Sequence, residues 1–155
     1  MFRSLTAAVA GAALLVAASA AQSATIIYSA NLAGSNEVPP NTSPATGTSQ
    51  VTISGNTMIV QENFSGLIGG PAAAAHIHCC TPVGTNTGVA VPFTGFPAVT
   101  SGTYNNTFDL TNPAIYTSAF LTASGGTAAG AEAALLAGLA NNQAYANIQI
   151  GRAHV

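Results

Sequence analysis

The residues best able to do chemistry lie in the stretch HIHCC, residues 76–80, which holds two of the three histidines and both cysteines of the chain. If this stretch is a strand, alternate side chains share a face, so His76 and His78 lie close enough to bind one ion. A strand extended by one residue adds Cys80 to that face, and a set of two histidines and a cysteine is typical of copper. The sequence therefore predicts a copper or zinc site at His76, His78 and Cys80. The alternative is that both rings are polar groups on a solvated strand face, hydrogen-bonded to loop hydroxyls.

The two cysteines are adjacent in sequence, at Cys79 and Cys80. An even number of cysteines in an exported chain is typical of a disulfide, but neighbouring Cα atoms are about 3.8 Å apart, closer than ordinary bridges prefer. Burial of Cys79 on the core side and a vicinal bridge are favoured over catalysis. A soft metal ligand and an intermolecular bridge remain open.

The composition excludes several classes of function. The chain has 155 residues, enough for one domain, and only 4% of them are charged, against about 25% in ordinary proteins. Lysine is absent and the only arginines are Arg3 and Arg152, so no basic patch exists for nucleic acid. The acidic residues are Glu37, Glu62, Asp109 and Glu132. They lie on different predicted elements, so a paired-carboxylate glycosidase site has no support.

Residues 1–24 have the pattern of a secretory signal peptide. Arg3 precedes an apolar run over residues 5–18, and the small residues Ala18-Ser19-Ala20 follow. The run is shorter than the roughly 20 residues that a membrane-spanning helix needs, so no transmembrane segment is predicted in the mature chain. The sequence thus predicts a bacterial protein that is secreted or periplasmic, with surface association as an alternative.

Short alternating runs separated by Gly, Pro and Asn clusters predict antiparallel strands. The predicted strands are residues 26–33, 48–54, 57–65, 73–79, 88–92, 102–109 and 143–148. Long loops are expected at residues 36–47 and 81–102, the second packing Phe93 and Phe96 inward. One helix is predicted at residues 127–141, where Ala131, Leu135 and Leu139 recur at helical spacing. The expected fold is an all-β sandwich with one short helix.

Four blocks in a fixed order resemble the CHRD (chordin-type) domain, in its bacterial secreted form. They are SANLAGSNEVPP (29–40), FSGLIGG (64–70), AAHIHCC (74–80) and LLAGLANNQAYANI (135–148). The resemblance implies a Greek-key β-sandwich of immunoglobulin-like or superoxide-dismutase-like type, and it implies no established enzyme activity. In animals the domain occurs as repeats in an extracellular antagonist of signalling factors. An H-x-H strand also supplies copper ligands in superoxide dismutase, which adds to the metal prediction.

The resemblance ends near residue 148. Family members continue with a histidine after Ile148 and then with a further strand, whereas this chain continues QIGRAHV. Those residues are also what the start of a common short-read sequencing adapter encodes. The expected organisation is therefore a signal peptide at residues 1–24, an incomplete CHRD domain lacking its last strand at 25–148, and a non-native tail at 149–155.

Two functional hypotheses follow. The first is a secreted module of binding or structural function, without catalytic residues or a bound cofactor, whose partner is an extracellular protein or glycan. The second is a copper- or zinc-binding protein with superoxide-dismutase-like redox activity, centred on His76 and His78.

Overall fold

The computed structural model describes residues 24–150 and 153–154, and it forms two four-stranded antiparallel sheets packed face to face. The strands are β1 (Thr25–Ala33), β2 (Thr46–Ser54), β3 (Thr57–Ser65), β4 (Ala74–Cys79), β5 (Val89–Pro92), β6 (Gly102–Asp109), β7 (Ala144–Ile150) and β8 (Ala153–His154). The first sheet has the order β1-β2-β3-β6 and the second β5-β4-β7-β8. The chain crosses from β3 to the second sheet and returns in β6 beside β3, as in a Greek key. The predicted all-β sandwich is confirmed.

Alternation along the strands of the first sheet separates an inner from an outer face. In β3, Met58, Val60 and Phe64 are at most 3% exposed, whereas Gln61 and Asn63 face solvent. The same register continues into the neighbouring strands, which pair without a bulge. One face of this sheet therefore forms half of the core, and the other face is polar apart from Ile27 and Ile59.

An aromatic cluster closes the sandwich on the side of β5 and β6. Phe93 is 5% exposed, and its ring centroid lies 5.4 Å from that of Tyr104. Phe96 is partly buried and lies 5.1 Å from Tyr104, centroid to centroid. The predicted inward packing of Phe93 and Phe96 is confirmed.

The predicted helix is confirmed as α2 (Ala128–Ala140), and a shorter helix, α1 (Ser118–Ala123), precedes it. The Thr127 hydroxyl caps α2 by accepting a hydrogen bond from the Gly130 backbone N–H at 3.1 Å. Helix α1 has only six residues, too few to show a helical period in the sequence. No helix among the described residues is long and apolar enough to cross a membrane.

The ends of the chain bear on two predictions. The predicted signal peptide falls outside the described residues, apart from Ala24. At the other end, β7 continues to Ile150, two residues beyond the predicted strand, and the short β8 is formed by Ala153–His154. Both extensions lie within the segment predicted as a non-native tail.

Candidate functional site

The two histidines of the HIHCC stretch lie side by side on β4, as the sequence predicts. Alternation turns Ala75 and Ile77 into the core and places His76 and His78 on the outer face of the second sheet. The two ring centroids are 5.3 Å apart and the ring planes are nearly perpendicular. The rings are not solvated, however, because His76 is 9% and His78 only 8% exposed. The alternative of a solvated strand face is wrong, since other parts of the chain cover the rings.

Strand β7 and the loop before β5 surround His78. The ring of Tyr145, opposite His78 in the sheet register, stacks on it with parallel planes and a centroid distance of 4.8 Å. The Nδ1 atom of His78 lies 2.8 Å from the Thr87 carbonyl oxygen. Because a carbonyl oxygen only accepts hydrogen bonds, Nδ1 carries a proton and donates it. The loop over residues 81–88 is thereby attached to the outer face of the second sheet.

Asn147 attaches a second loop to the same face. It lies opposite His76 in the register and is 3% exposed. Its Nδ2 group donates to both carboxylate oxygens of Glu37, at 2.9 and 3.0 Å, whereas its Oδ1 makes no hydrogen bond within the described residues. We call this group the histidine–asparagine cluster. Its members are Glu37, His76, His78, Tyr145 and Asn147.

Cys80 is not part of that cluster. It is bonded to Cys79 in a vicinal disulfide, and its Sγ atom lies 3.4 Å from the Ala134 carbonyl oxygen of α2. Cys79 is 4% exposed, so the sequence correctly placed it in the core. A bridged sulfur has no thiolate to offer a metal. The structure therefore brings His76 and His78 together but leaves Cys80 against the helix.

The predicted copper or zinc site consequently depends on two imidazoles. Within the part of the chain that the structure describes, no group of three or more His, Cys, Asp or Glu side chains is arranged to hold a metal ion. Protein zinc sites use three or four ligands. Metal binding at His76 and His78 stays a prediction, and metal content after purification from copper- and zinc-supplemented medium is the measurement that decides it.

The packing of the disulfide against α2 leads to a test at Gly138. A Cβ atom built on Gly138 would collide with the Sγ atom of Cys79 and lie 2.8 Å from that of Cys80. We expect Gly138→Ala to lower the free energy of unfolding by about 2 kcal/mol, because overpacking outweighs the gain in helix propensity. The control is Gly88→Ala, an exposed position where nothing lies within 4 Å of the added carbon. Urea unfolding of both variants is the measurement, and a Gly138→Ala protein as stable as the parent would contradict the packing.

The carboxyl group of Glu62 is buried in the core between the sheets. The sequence alone indicates only that Glu62 is one of several scattered acidic residues. Glu62 of β3 is 3% exposed, and its Oε1 atom accepts a hydrogen bond of 2.6 Å from the Ser49 hydroxyl. Its Oε2 atom makes none within the described residues. Burial raises the pKa of Glu62 from its ordinary 4.5 to about 7, although the Ser49 hydrogen bond opposes the rise. The alternation Met58, Val60, Glu62, Phe64 was the signal that places this carboxyl group inside.

A pKa near neutrality suits a general acid or base, but the position of Glu62 does not. Glu62 does not line the clefts between β1 and β7. A substrate in the cleft that Ser49 lines would meet this hydrogen-bond partner rather than the Glu62 carboxyl group. We therefore treat Glu62 as a determinant of stability.

Comparison with known proteins identifies the family. A protein-family model described as the CHRD domain matches residues 28–152. The chain belongs to the CHRD domain family. No curated protein and no solved structure matches it. CHRD domains are typically extracellular. Every member of the histidine–asparagine cluster lies in one of the sequence blocks that resemble the family: one member in residues 29–40, two in 74–80 and two in 135–148.

The CHRD domain also presents a polar surface on part of the outer face of the first sheet. Cross-strand neighbours in β1, β2, β3 and β6 make four complete rows on this face; one of them contains Ile27 and Ile59, and another contains Asp109. The other two rows are polar and uncharged, and they consist of Asn31, Thr48, Asn63, Thr103 and Ser29, Gln50, Gln61, Asn105. All eight side chains are exposed or half-buried, and none carries a charge. We call this surface the polar face.

Proposed function

We propose that this CHRD domain is an exported bacterial module, secreted or periplasmic, that binds an uncharged glycan through its polar face. Two features support export, namely the signal-peptide pattern of residues 1–24 and the near absence of charged residues. A role in binding or structure is supported by the position of His76, His78 and Glu62, which do not line the clefts between β1 and β7. Glu37 and Tyr145 of the histidine–asparagine cluster do line one of these clefts.

The polar face is the observation that carries the proposal. Its two rows offer only hydroxyl and amide groups, which both donate and accept hydrogen bonds, and strands about 4.8 Å apart spread them in a flat array. Such groups can form hydrogen bonds with the hydroxyl groups of a sugar, and no charged side chain is needed for this. Between the two partner classes expected from the sequence, a glycan is favoured over a protein. Protein interfaces depend on aromatic and arginine side chains, and the two rows contain neither.

The test is affinity gel electrophoresis of the mature protein in gels that contain neutral polysaccharides (mixed-linkage β-glucan, starch, galactomannan) or acidic ones (alginate, hyaluronan). We expect retardation by at least one neutral polysaccharide. The double variant Gln61→Ala/Asn105→Ala removes two cross-strand neighbours and should weaken that binding roughly thirtyfold, since each of the two lost hydrogen bonds contributes about 1 kcal/mol.

The matched control is Ser35→Ala/Thr85→Ala, which removes two exposed polar side chains from loops and should bind as the parent does. Absence of retardation by every neutral polysaccharide would exclude a glycan function of this kind. Binding that the Gln61→Ala/Asn105→Ala variant retains in full would place the binding site elsewhere on the molecule.

The second hypothesis, a copper- or zinc-binding protein with redox activity, is not favoured by the geometry. Its expected third ligand, Cys80, is bonded to Cys79 and packs against α2. The imidazoles of His76 and His78 are covered, and His78 holds the loop before β5 on the sheet.

A further inference from the structure

The disulfide at the end of β4 has one cysteine inside the molecule and the other outside. Cys79 is buried on the core side, whereas Cys80 is exposed. They are the only cysteines of the chain, so no third thiol of the same molecule can exchange with them. Because thiol–disulfide exchange requires access to the sulfur that is attacked, a thiol from outside meets the bridge at Cys80.

Helix α2 packs on both sulfur atoms. The Ala134 carbonyl oxygen lies 3.9 Å from Sγ of Cys79 and 3.4 Å from Sγ of Cys80. One turn further along the same face of the helix, a Cβ atom on Gly138 would find no room beside either sulfur. The bridge is thus the surface on which this face of α2 rests at the end of β4.

Hydrogen bonds join the end of α2 to the chain around the bridge. The Gln143 backbone N–H donates to the Gly138 carbonyl oxygen at 2.8 Å, and the Thr81 backbone N–H donates to the Gln143 carbonyl oxygen at 3.1 Å. The Thr87 hydroxyl donates to the Cys79 carbonyl oxygen at 3.4 Å. The bridge, the last turn of α2 and the loop before β5 are therefore one connected unit.

We propose that this bridge is a redox-sensitive site: a partner that carries two thiols reduces it through Cys80, and the reduction loosens α2. A thiolate of the partner attacks Sγ of Cys80, the bond between the two cysteines breaks, and its electron pair leaves on Sγ of Cys79, which takes up a proton. The second thiolate of the partner then attacks the partner's own sulfur in the mixed disulfide, and Cys80 leaves and is protonated. The domain gains two thiols and the partner is oxidised to a disulfide. The site does not depend on the proposed glycan function.

The position of Cys79 favours a partner with two thiols over a partner with one. After the first step, the Cys79 thiol is adjacent to the mixed disulfide on Cys80, so it attacks Cys80 again without diffusion. That attack expels a single thiol and restores the bridge. A second thiol on the partner has the same intramolecular advantage and completes the reduction.

Reduction changes the packing against α2. Two thiols occupy more space than a bridge, because the sulfur atoms separate to van der Waals distance and each carries a hydrogen. There is no free space for this between the sulfurs and Gly138, and close-packed contacts do not absorb added volume without a shift of the backbone. We therefore expect the last turn of α2 to open more often in the reduced protein.

The first test is reduction of the folded parent by dithiothreitol, a dithiol, or by glutathione, a monothiol, at equal thiol concentration. Iodoacetamide labels the thiols formed, and peptide mass spectrometry locates the label. We expect dithiothreitol to reduce the bridge without urea and glutathione to reduce it at least about tenfold less. In a short pulse of iodoacetamide, Cys80 should be labelled before Cys79. A bridge that dithiothreitol reduces only in urea, or equal labelling of the two cysteines, would overturn the proposal.

Cys79→Ser and Cys80→Ser are a matched pair, because each leaves one thiol. With oxidised glutathione, Cys79→Ser should form a lasting mixed disulfide at Cys80 at least about tenfold faster than Cys80→Ser forms one at the buried Cys79. Equal rates would contradict Cys80 as the point of attack. Near-ultraviolet circular dichroism confirms that each variant is folded, and the labelling of the parent decides the question if one is not.

Hydrogen exchange of the oxidised and the dithiothreitol-reduced parent tests the effect on α2. We expect the amides of residues 134–142 to exchange about tenfold faster after reduction, whereas those of β2 and β3, in the other sheet, keep their rates. Unchanged exchange in residues 134–142 would show that the bridge does not hold the helix, and would overturn the proposed loosening.

Discussion

Raising the pH from 4.5 to 7.5 is expected to destabilise this CHRD domain, and Glu62 is the reason. Burial raises the pKa of Glu62 to about 7, against 4.5 ordinarily. Between these two values the folded state holds a proton that the unfolded state has released, so the free energy of unfolding falls as the pH rises. The full difference is about 3 kcal/mol at about 1.4 kcal/mol per pKa unit, and it is complete above pH 7.

The measurement is urea unfolding of the parent and of Glu62→Gln at intervals across this pH range. Glutamine keeps the size and the hydrogen-bond acceptor for Ser49 but does not ionise. The two proteins should be similar in stability near pH 4.5, and above pH 7 the variant should be more stable by about 3 kcal/mol. Subtracting the two curves removes the contribution of every ionisable group that the two proteins share.

The control for this comparison is Glu132→Gln, the same change at a half-buried position on α2. That variant should retain the downward slope of the parent. A Glu62→Gln protein that retains it as well would show that the Glu62 carboxyl group reaches solvent, and the buried position described above would be wrong.

The strands could be predicted because their signal is local. The alternating side chains of β2 and β3 and the turn at Gly55 are encoded within a few residues. Strands β1 to β7 start and end within two residues of the predicted ones, whereas β8 was not predicted. The shared face of His76 and His78 follows from the same period. The same period also places Glu62 inside, but its direct neighbours in sequence, Gln61 and Asn63, are polar and give no sign of its burial.

The surroundings of these side chains could not be predicted, because they depend on contacts between distant parts of the chain. Glu37 and Asn147 are 110 residues apart in sequence, and no local pattern indicates that they meet. The contact between His78 and the loop at Thr87 is likewise not indicated by a local pattern. Similarly, the position of Cys80 depends on how α2 packs across the end of β4, which the sequence of the strand does not encode.

The contact between Asn147 and Glu37 carries the second large expected effect. Asn147→Asp keeps the shape but replaces an amide that donates to both Glu37 oxygens with a second carboxylate about 3 Å away. We expect the free energy of unfolding at pH 8 to fall by about 3 kcal/mol, because two hydrogen bonds are lost and two like charges share a covered site. The repulsion raises the pKa of the pair in the folded state, so stability should recover as the pH falls toward 4 and one carboxyl group takes up a proton.

Two further variants separate charge from the loss of hydrogen bonds. Asn147→Ala should cost about 2 kcal/mol, since hydrogen bonds to a charged acceptor are lost, but it should show no recovery at low pH beyond that of the parent. Asn105→Asp adds the same charge on the exposed polar face and should change stability by less than about 0.5 kcal/mol. Limited proteolysis at pH 8 should cleave Asn147→Asp faster than the parent within residues 34–45, because Glu37 no longer holds that loop on the sheet. Equal stability and equal cleavage of Asn147→Asp and Asn105→Asp would mean that the Glu37–Asn147 contact does not hold the loop in solution.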